Sequence, residues 1–297
     1  MNLLRHRLAT AALLLPLAFA VPRAAAQDSS LPRLEFFIRG SLAPAGTGTT
    51  IEHGYDPHPG YAIPGSYARQ TLRFDPLSGS GFVAGVTGFF GRTIGLRLSV
   101  GYDHSPIGGA NTPFEMVYKY TSWTPWSGYV DGTYTVNQAW PETAGALQRA
   151  AAGLELVVRL PLGPGIRLNL TGGPLLSLSG GDIQSLGYTD LYYERYGALF
   201  FHSYFVRLRL PARVRLGLTG GAELAVRFGR HLSLILNATV RSGSYEGIPE
   251  ITAAYDSNGL QTAAADILSR IKARIVPQAV VLTPSPFLFG AGFAIVL

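Results

Sequence analysis

Three very short turns alternate along this chain with four long connections, and the segments between them change character at every second residue. The turns are Gly91–Thr93, Pro161–Gly165 and Gly229–Arg230. The long connections span residues 42–80, 105–146, 179–212 and 242–285. Alternation with a period of two is typical of β-strands, whose successive side chains point to opposite faces. Short turns at one end and long connections at the other predict an antiparallel up-and-down β-barrel of eight strands.

Each of the eight segments carries apolar residues on one face and small, polar or charged residues on the other. The third is the clearest, because Leu96, Leu98 and Val100 alternate with Arg97 and Ser99. The predicted strands cover residues 33–42, 81–90, 94–103 and 149–160, a segment that begins at 166, and residues 212–228, 232–241 and 287–297. Strands of about 9–11 residues are long enough to cross a bilayer when they are tilted.

Alternation alone leaves open which face lies inside, because a soluble barrel places its apolar face inward. Only 14% of the residues are charged, and Lys119 and Lys272 are the only lysines, whereas a soluble exterior is rich in lysine. The prediction is therefore an all-β fold, an eight-stranded antiparallel transmembrane barrel with four long outer loops and its apolar face toward lipid. A ten-stranded barrel is the alternative, in which residues 117–122 and 129–136 form a further hairpin.

The N-terminus has the pattern of a secretory signal peptide. Arg5 and Arg7 precede the apolar stretch 8–21, and Ala24–Ala26 forms an A-x-A cleavage site. Cleavage after Ala26 would leave residues 27–297 as the barrel domain. The exported chain would then carry 21 basic and 18 acidic residues, a formal charge of +3, and its arginines are spread along the strands. This distribution does not favour a nucleic-acid partner.

The signal peptide, the eight strands and the C-terminal segment 289–297 together resemble the small outer-membrane barrels of the OmpA/OmpX type. They also resemble the outer-membrane protein beta-barrel domains of Bacteroidetes-like bacteria. The resemblance covers essentially the whole exported chain, although the chain ends in Leu297 where such proteins often end in Phe. It implies insertion by the barrel-assembly machinery, a bacterial outer-membrane location, and a lipid bilayer with lipopolysaccharide as surroundings.

The face predicted to line the barrel is rich in charge, and it has two interpretations. Because an eight-stranded barrel is just wide enough for side chains to fill it, these residues form either a structural ion-pair network or a narrow channel that favours anions. The predicted interior residues are Glu35, Arg39, Arg97, Asp103, Arg149, Glu155, Arg159, Arg167, Arg213, Arg215, Glu223, Arg227 and Arg241.

The sequence predicts no enzyme, no cofactor and no metal site. His104–Ser105 and His202–Ser203 are sequence neighbours, and neighbours on a strand point to opposite faces, so neither pair forms a dyad. His53, Asp56 and His58 lie in a Gly/Pro-rich connection without the spacing of a known metal site. A lipid-modifying enzyme remains the least favoured interpretation of the chain.

Function in such a barrel is expected in its outer loops. Aromatic residues of the second and third connections either contact an unknown extracellular ligand or pack on one another and close the barrel; they include Trp123, Trp126, Trp140, Tyr192, Tyr193 and Tyr196. Helical spacing of Leu260, Ala264, Ile267, Leu268, Ile271 and Ile275 predicts a short amphipathic helix over the barrel mouth or on the membrane surface. Asp256, Ser257 and Asn258 offer capping residues before it, and Pro277 ends it. The predicted function is a structural or surface-interaction role for a monomeric outer-membrane barrel.

Overall fold

The protein is an antiparallel β-structure built around one closed ring of strands. A computed structural model describes residues 34–57, 64–139, 142–193, 199–256 and 263–297. The predicted signal peptide lies outside these residues. The elements are β1 (Leu34–Ala43), β2 (Thr49–Tyr55), β3 (Tyr67–Pro76), β4 (Gly79–Phe90), β5 (Ile94–Gly109), β6 (Phe114–Thr124), β7 (Gly128–Gln138), β8 (Thr143–Gly163), β9 (Ile166–Tyr193), β10 (Leu199–Phe228), β11 (Leu232–Arg241), β12 (Tyr245–Gly247), β13 (Glu250–Asp256), α1 (Ala265–Arg274), β14 (Val280–Leu282) and β15 (Phe287–Val296).

Eight of these strands form the ring, in the order β1, β15, β11, β10, β9, β8, β5 and β4. Pairing of β4 with both β1 and β5 closes it, and every pair in the ring is antiparallel. Each of the eight predicted strands corresponds to one ring strand, although β1 begins at Leu34 and β15 ends at Val296. The hairpin of the ten-stranded alternative, β6–β7, lies outside the ring and pairs through β6 with β3.

All three short turns lie at one end of the ring, which we call the turn end. Gly91 and Gly229 adopt positive φ angles of 81° and 73° there, a conformation that side chains disfavour. The N-terminal residues of β1 pair with the C-terminal residues of β15 at the same end, for example Glu35 with Val296.

The four long connections, predicted as outer loops, carry further strands and one helix among the described residues. β9 and β10 run on to 28 and 30 residues and remain paired to each other over most of that length. We call the structure at this end the cap. It comprises β2, β3, β6, β7, β12, β13, β14 and α1, together with the ends of β5, β8, β9 and β10 that are remote from the turn end.

The cap has a hydrophobic core of its own, and all four connections contribute to it. Tyr55 of the first stacks on Tyr188 of the third at 5.2 Å between ring centroids and lies 6.2 Å from Phe114 of the second. The fourth connection adds Ile271 of α1. Because aromatic side chains bury large areas, this core explains why the connections fold as one ordered body.

A β-bulge in β10 inverts which face is apolar. Pro211 and Ala212 together oppose Gly180 of β9, between the pairs Leu210–Gly181 and Arg213–Ser179. Because one extra residue flips the alternation, Leu208 and Leu210 are buried inside the cap, whereas Leu216 and Leu218 are exposed on the ring exterior.

The predicted helix is α1, shorter than the spacing indicated. It begins at Ala265 without a side-chain cap, and Ser257 and Asn258, expected to cap it, lie outside the described residues. Ile271 and Ile275 anchor it in the cap core, and Arg274 donates hydrogen bonds to the Tyr188 hydroxyl and the Pro57 carbonyl, each at 3.0 Å. The helix is therefore part of the cap.

Candidate functional site: ring exterior, ring interior and cap

The ring exterior is a continuous belt of exposed apolar side chains. On β5 it spans Ile94 to Tyr102 and on β10 it spans Leu216 to Phe228, which for tilted strands corresponds to a height of roughly 20–30 Å. The exposed belt residues include Ile38, Leu42, Phe82, Phe90, Leu96, Leu98, Val100, Leu154, Leu156, Leu170, Leu176, Leu216, Leu218, Leu236, Val240, Phe287, Phe289 and Phe293. A soluble surface does not carry an apolar area of this size.

The ring interior next to the turn end is held by Glu35. Its two carboxylate oxygens accept hydrogen bonds from Arg159 at 2.6 Å and from Arg167 at 2.8 Å. Arg167 also donates to the Ser233 hydroxyl at 3.0 Å. One buried acid thus pairs with two cations contributed by β8 and β9.

A second buried acid, Glu223, organises the next layer. Arg97 donates to both of its oxygens, at 2.9 and 3.1 Å, and Arg39 donates to one at 3.2 Å. Asn169 connects the two layers, because its amide nitrogen donates to Glu223 at 2.8 Å and its oxygen accepts from Arg159 at 3.2 Å. Four strands of the ring are thereby cross-linked through Glu223.

Phenylalanines that were not predicted to face the lumen interleave with these arginines. The guanidinium of Arg97 lies 4.5 Å from the centre of the Phe37 ring, and that of Arg159 lies 3.6 Å from the Phe89 ring. Both rings are almost fully buried. Cation–π contacts of this kind offset part of the cost of burying charge. Phe37 lies on the same strand face as Glu35, and Phe89 lies on the same strand face as Thr87. The alternation of each strand could therefore have identified both phenylalanines as lumen residues.

Farther from the turn end, the interior is less completely paired. Asp103 accepts a hydrogen bond from Arg241 at 2.7 Å, and Glu155 accepts one from Ser99 at 3.2 Å. One oxygen of each acid has no hydrogen-bond partner among the described residues. A cavity of about 20 Å³ lies beside Asp103, between Arg149 and Leu147, and has room for about one water molecule.

Beyond this cavity the interior becomes apolar. Ile107, Leu147, Ile183 and Leu210, one from each of β5, β8, β9 and β10, are all buried at the base of the cap core. The polar lumen therefore ends against packed side chains. The interior is filled at both levels, by arginine and glutamate near the turn end and by aliphatic residues at the cap.

Three of the predicted interior residues lie outside the buried network, which corrects that part of the prediction. Arg215 bonds to Ser244 and pairs with Glu246 at 3.0 Å, and its side chain is 38% exposed. Arg213 is exposed next to the bulge, and Arg227 is exposed at the turn end, where it donates to the Arg230 carbonyl. Alternation indicated the face of these side chains but not their height in the ring. Arg149 is only partly buried and donates to the Gly243 carbonyl at 3.3 Å.

The predicted loop aromatics have different environments. Trp123 and Trp126 are exposed at the tip of the β6–β7 hairpin. Tyr192 and Tyr193 are the last residues of β9, and their side chains lie outside the described part, as do Trp140 and Tyr196 altogether. The aromatic residues buried in the cap include Tyr55, Tyr118, Tyr188, Tyr204 and Tyr245, of which Tyr118, Tyr188 and Tyr204 belong to the second and third connections.

The candidate catalytic neighbours point apart. His202 is exposed, whereas Ser203 is buried and donates to Gln138 at 3.2 Å. Asp103 pairs with Arg241 inside the ring. Within the described ranges, no cluster of three or more His, Cys, Asp or Glu side chains is arranged to hold a metal ion, and His58 lies outside them. No α-helix in the same ranges is long and apolar enough to cross a membrane.

Two cap residues have strongly shifted pKa values. Burial lowers the pKa of His53 to about 4, and its Nε2 has no hydrogen-bond partner in the described residues. Burial also raises the pKa of Tyr245 to about 12, and its hydroxyl donates to the Pro211 carbonyl at 3.0 Å. Both side chains are therefore neutral at pH 7.

No family model and no curated protein matches this sequence. Among solved structures, the outer membrane protein OprG from Pseudomonas aeruginosa is 12% identical, with a TM-score of 0.38 over 91% of this chain and 99% of that one. A major outer membrane protein from Thermus thermophilus is 13% identical, with a TM-score of 0.34 over 89% and 99%. The outer membrane protease OmpT from Escherichia coli is 11% identical, with a TM-score of 0.36 over 92% and 99%.

Similarity at this level does not define a family. The barrel is established by the strand pairing of the chain itself, and the resemblance to the OmpA/OmpX type stays a prediction.

Proposed function

We propose that the chain is an integral outer-membrane barrel whose ring anchors an ordered cap on the outer surface of a bacterium, where the cap has a surface-interaction role. The observation that carries this proposal is the change of pattern along the ring strands. The ring has an apolar exterior and a charged interior, whereas the cap encloses a hydrophobic core of its own. The first pattern suits lipid and the second suits water.

The orientation follows from the insertion route of such barrels. Barrels inserted from the periplasm keep their short turns on that side and place their longer connections outside. The turn end would therefore face the periplasm, and the cap would stand above the outer leaflet among lipopolysaccharide molecules. We infer insertion by the barrel-assembly machinery and a monomeric state on the same grounds.

Single-cysteine labelling tests this arrangement, because the chain has no cysteine. Trp126→Cys in the cap should react with a membrane-impermeant maleimide on intact cells. Arg230→Cys at the turn end should react only after the outer membrane is permeabilised. Labelling of both variants only after permeabilisation, or recovery of the protein in the soluble fraction, would contradict the proposal.

The filled interior disfavours the alternative of an anion-selective channel. Continuous conduction needs a water-filled path, yet the paired arginines and the apolar base of the cap core occupy the lumen. The purified protein in a planar bilayer should show no discrete openings under conditions in which a sixteen-stranded porin conducts. Regular stepwise increases in an anion-selective current would show that the protein is a channel and would contradict the proposed function.

We propose no enzymatic activity. Overexpression should leave the lipid A composition of the host unchanged when extracted lipids are compared by mass spectrometry. A modified lipid A species that depends on the intact chain would identify a lipid-modifying enzyme instead.

A further inference from the structure

The β6–β7 hairpin extends beyond the core that holds its base. Phe114, Met116 and Tyr118 of β6 are buried in the cap core. At the tip, Trp123 is 63%, Trp126 97% and Tyr129 80% exposed. Large aromatic side chains contribute to folding only when they are buried, so these three contribute little to the stability of the cap. Their exposure indicates that they contact something outside the chain.

The tip is held in a defined geometry. The two strands stay in register up to the pair Thr124–Gly128. Tyr120 stacks on Tyr118 at 5.9 Å and covers the backbone of Gly132, where an added Cβ would lie 2.5 Å from the Tyr120 ring. An aromatic ring over a cross-strand glycine stiffens a two-stranded ribbon. A preorganised tip loses less entropy on binding than a flexible loop.

One face of the hairpin combines aromatic and hydrogen-bonding groups. Trp123 and Tyr129 are direct cross-strand partners, so their side chains lie on the same face. The next pair on that face is Thr121 and Asp131, whose hydroxyl and carboxylate are joined by a 2.6 Å hydrogen bond. Lys119 and Thr133 form the following pair. Successive pairs on one face are about 6.8 Å apart along the strands.

This arrangement fits a carbohydrate. A pyranose ring has an apolar C–H face that packs on an aromatic ring, and equatorial hydroxyls that need donors and acceptors at its edge. A protein partner fits less well, because a stable protein interface buries about 800 Å² on each side. Three aromatic side chains supply roughly 450–750 Å² at most, and only if each is fully covered.

We propose that the outer face of the β6–β7 tip binds an extended glycan chain, stacked on Trp123 and Tyr129 and hydrogen-bonded by Asp131 and Lys119. This site deepens the proposed surface-interaction role and rests on it, because the glycan would be met outside the cell. Lysine and aspartate are balanced on this face, so the bound glycan carries little net charge.

Tryptophan fluorescence provides a direct test. The chain has three tryptophans, Trp123, Trp126 and Trp140, so Trp140→Phe leaves emission from the tip alone. The full-length Trp140→Phe protein in nanodiscs is titrated with cellohexaose, maltohexaose, chitohexaose and lipid-free polysaccharide released from smooth lipopolysaccharide, each up to about 10 mM. At least one glycan should shift the emission to shorter wavelength with a saturable dependence.

Variants on the same face separate this site from general effects. Isothermal titration should show Trp123→Ala weakening the glycan affinity about tenfold or more and Asp131→Asn weakening it several-fold. Thr135→Ala, farther down the same face, should leave the affinity unchanged. Equal losses for Thr135→Ala, or no response to any glycan, would overturn the proposal.

Anionic phospholipid vesicles without sugar serve as the remaining probe. If they shift the emission and the glycans do not, the tip inserts into membranes and the glycan proposal fails. Failure of the proposed function would look different, because Trp126→Cys would then resist labelling on intact cells whatever the purified protein binds.

Discussion

At the level of single residues, the ring depends on two buried acids, Glu35 and Glu223, that each form ion pairs with two arginines. Glu223 is 3% exposed and binds Arg39, Arg97 and Asn169. Removing one partner from a buried ion pair is costly because the remaining charges keep their desolvation penalty. Alternation identified Glu223 and the arginines as interior residues. It did not show which acid serves which arginine, since Arg97 and Glu223 are 126 positions apart in the chain.

Glu223→Gln should lower the free energy of unfolding by about 3–5 kcal/mol, since it removes the direct ion-pair partner of the buried Arg39 and Arg97. Urea unfolding in detergent micelles, followed by the mobility shift of folded barrel on cold SDS gels, measures the change. Glu246→Gln is the matched control, because its pair with Arg215 is exposed and contributes less than about 1 kcal/mol. Equal effects of the two variants would refute the argument.

His53 makes the stability of the cap depend on pH. Its pKa is about 4 in the folded cap and 6.5 unfolded, so the unfolded state binds more protons between these values. Stability is therefore full above pH 6.5 and should fall by about 1.4 kcal/mol per unit as the pH drops toward 4. Near-UV circular dichroism of the buried tyrosines in a urea titration at about pH 7, 6 and 5 checks this. His53→Leu should flatten the dependence over this range, and an unchanged slope would assign it to other groups.

At the level of the elements, the bulge in the 30-residue strand β10 determines which face of the strand is apolar on each side of it. Pro211 and Ala212 oppose the single residue Gly180. The alternation of residues 212–228 was predicted correctly from the sequence, because the apolar side chains of this segment all lie on one face of the strand. The continuation of β10 on the other side of the bulge was not predicted. The apolar face switches at the bulge, and in the sequence such a switch looks like the end of a strand.

Deleting Ala212 should prevent correct assembly, because it removes the extra residue of the bulge and shifts the alternation of β10 by one position. Either Leu216 and Leu218 would then point into the lumen, or Leu208 and Leu210 would point out of the cap core. Refolding into micelles should yield little of the fast-migrating folded species on cold SDS gels. Deleting Pro125, in the exposed hairpin tip, should leave the ring folded. Normal refolding of the Ala212 deletion would show that the strand tolerates either phase.

In the molecule as a whole, the proposed location gives the ring and the cap different surroundings, with lipid around the ring and water around the cap. Backbone groups of the ring have no water to bond to when they lie in lipid, so opening it there is costly. The cap is held by a hydrophobic core of ordinary type, which urea weakens directly.

In nanodiscs the cap should therefore unfold at a lower urea concentration than the ring. Near-UV circular dichroism follows the cap, since Tyr55, Tyr118, Tyr188, Tyr204 and Tyr245 are buried in it. Far-UV circular dichroism and gel mobility follow the ring. A single coincident transition for all three signals would mean that ring and cap form one cooperative unit.

Neighbouring residues were sufficient to establish the eight ring strands, their short turns and the polarity of their two faces. These properties are local, because alternation within one strand and a turn between two neighbours both involve adjacent residues. The pairing of the buried charges and the packing of all four connections into one core emerged only from long-range contacts, although closure of the barrel by loop aromatics was one of the two expectations. Tyr55, Phe114, Tyr188 and Ile271 come from four separate connections and form a core only when the ring brings those connections together. The helical spacing around Ile271 predicted α1, but the burial of all four side chains is set by partners that are distant in the sequence.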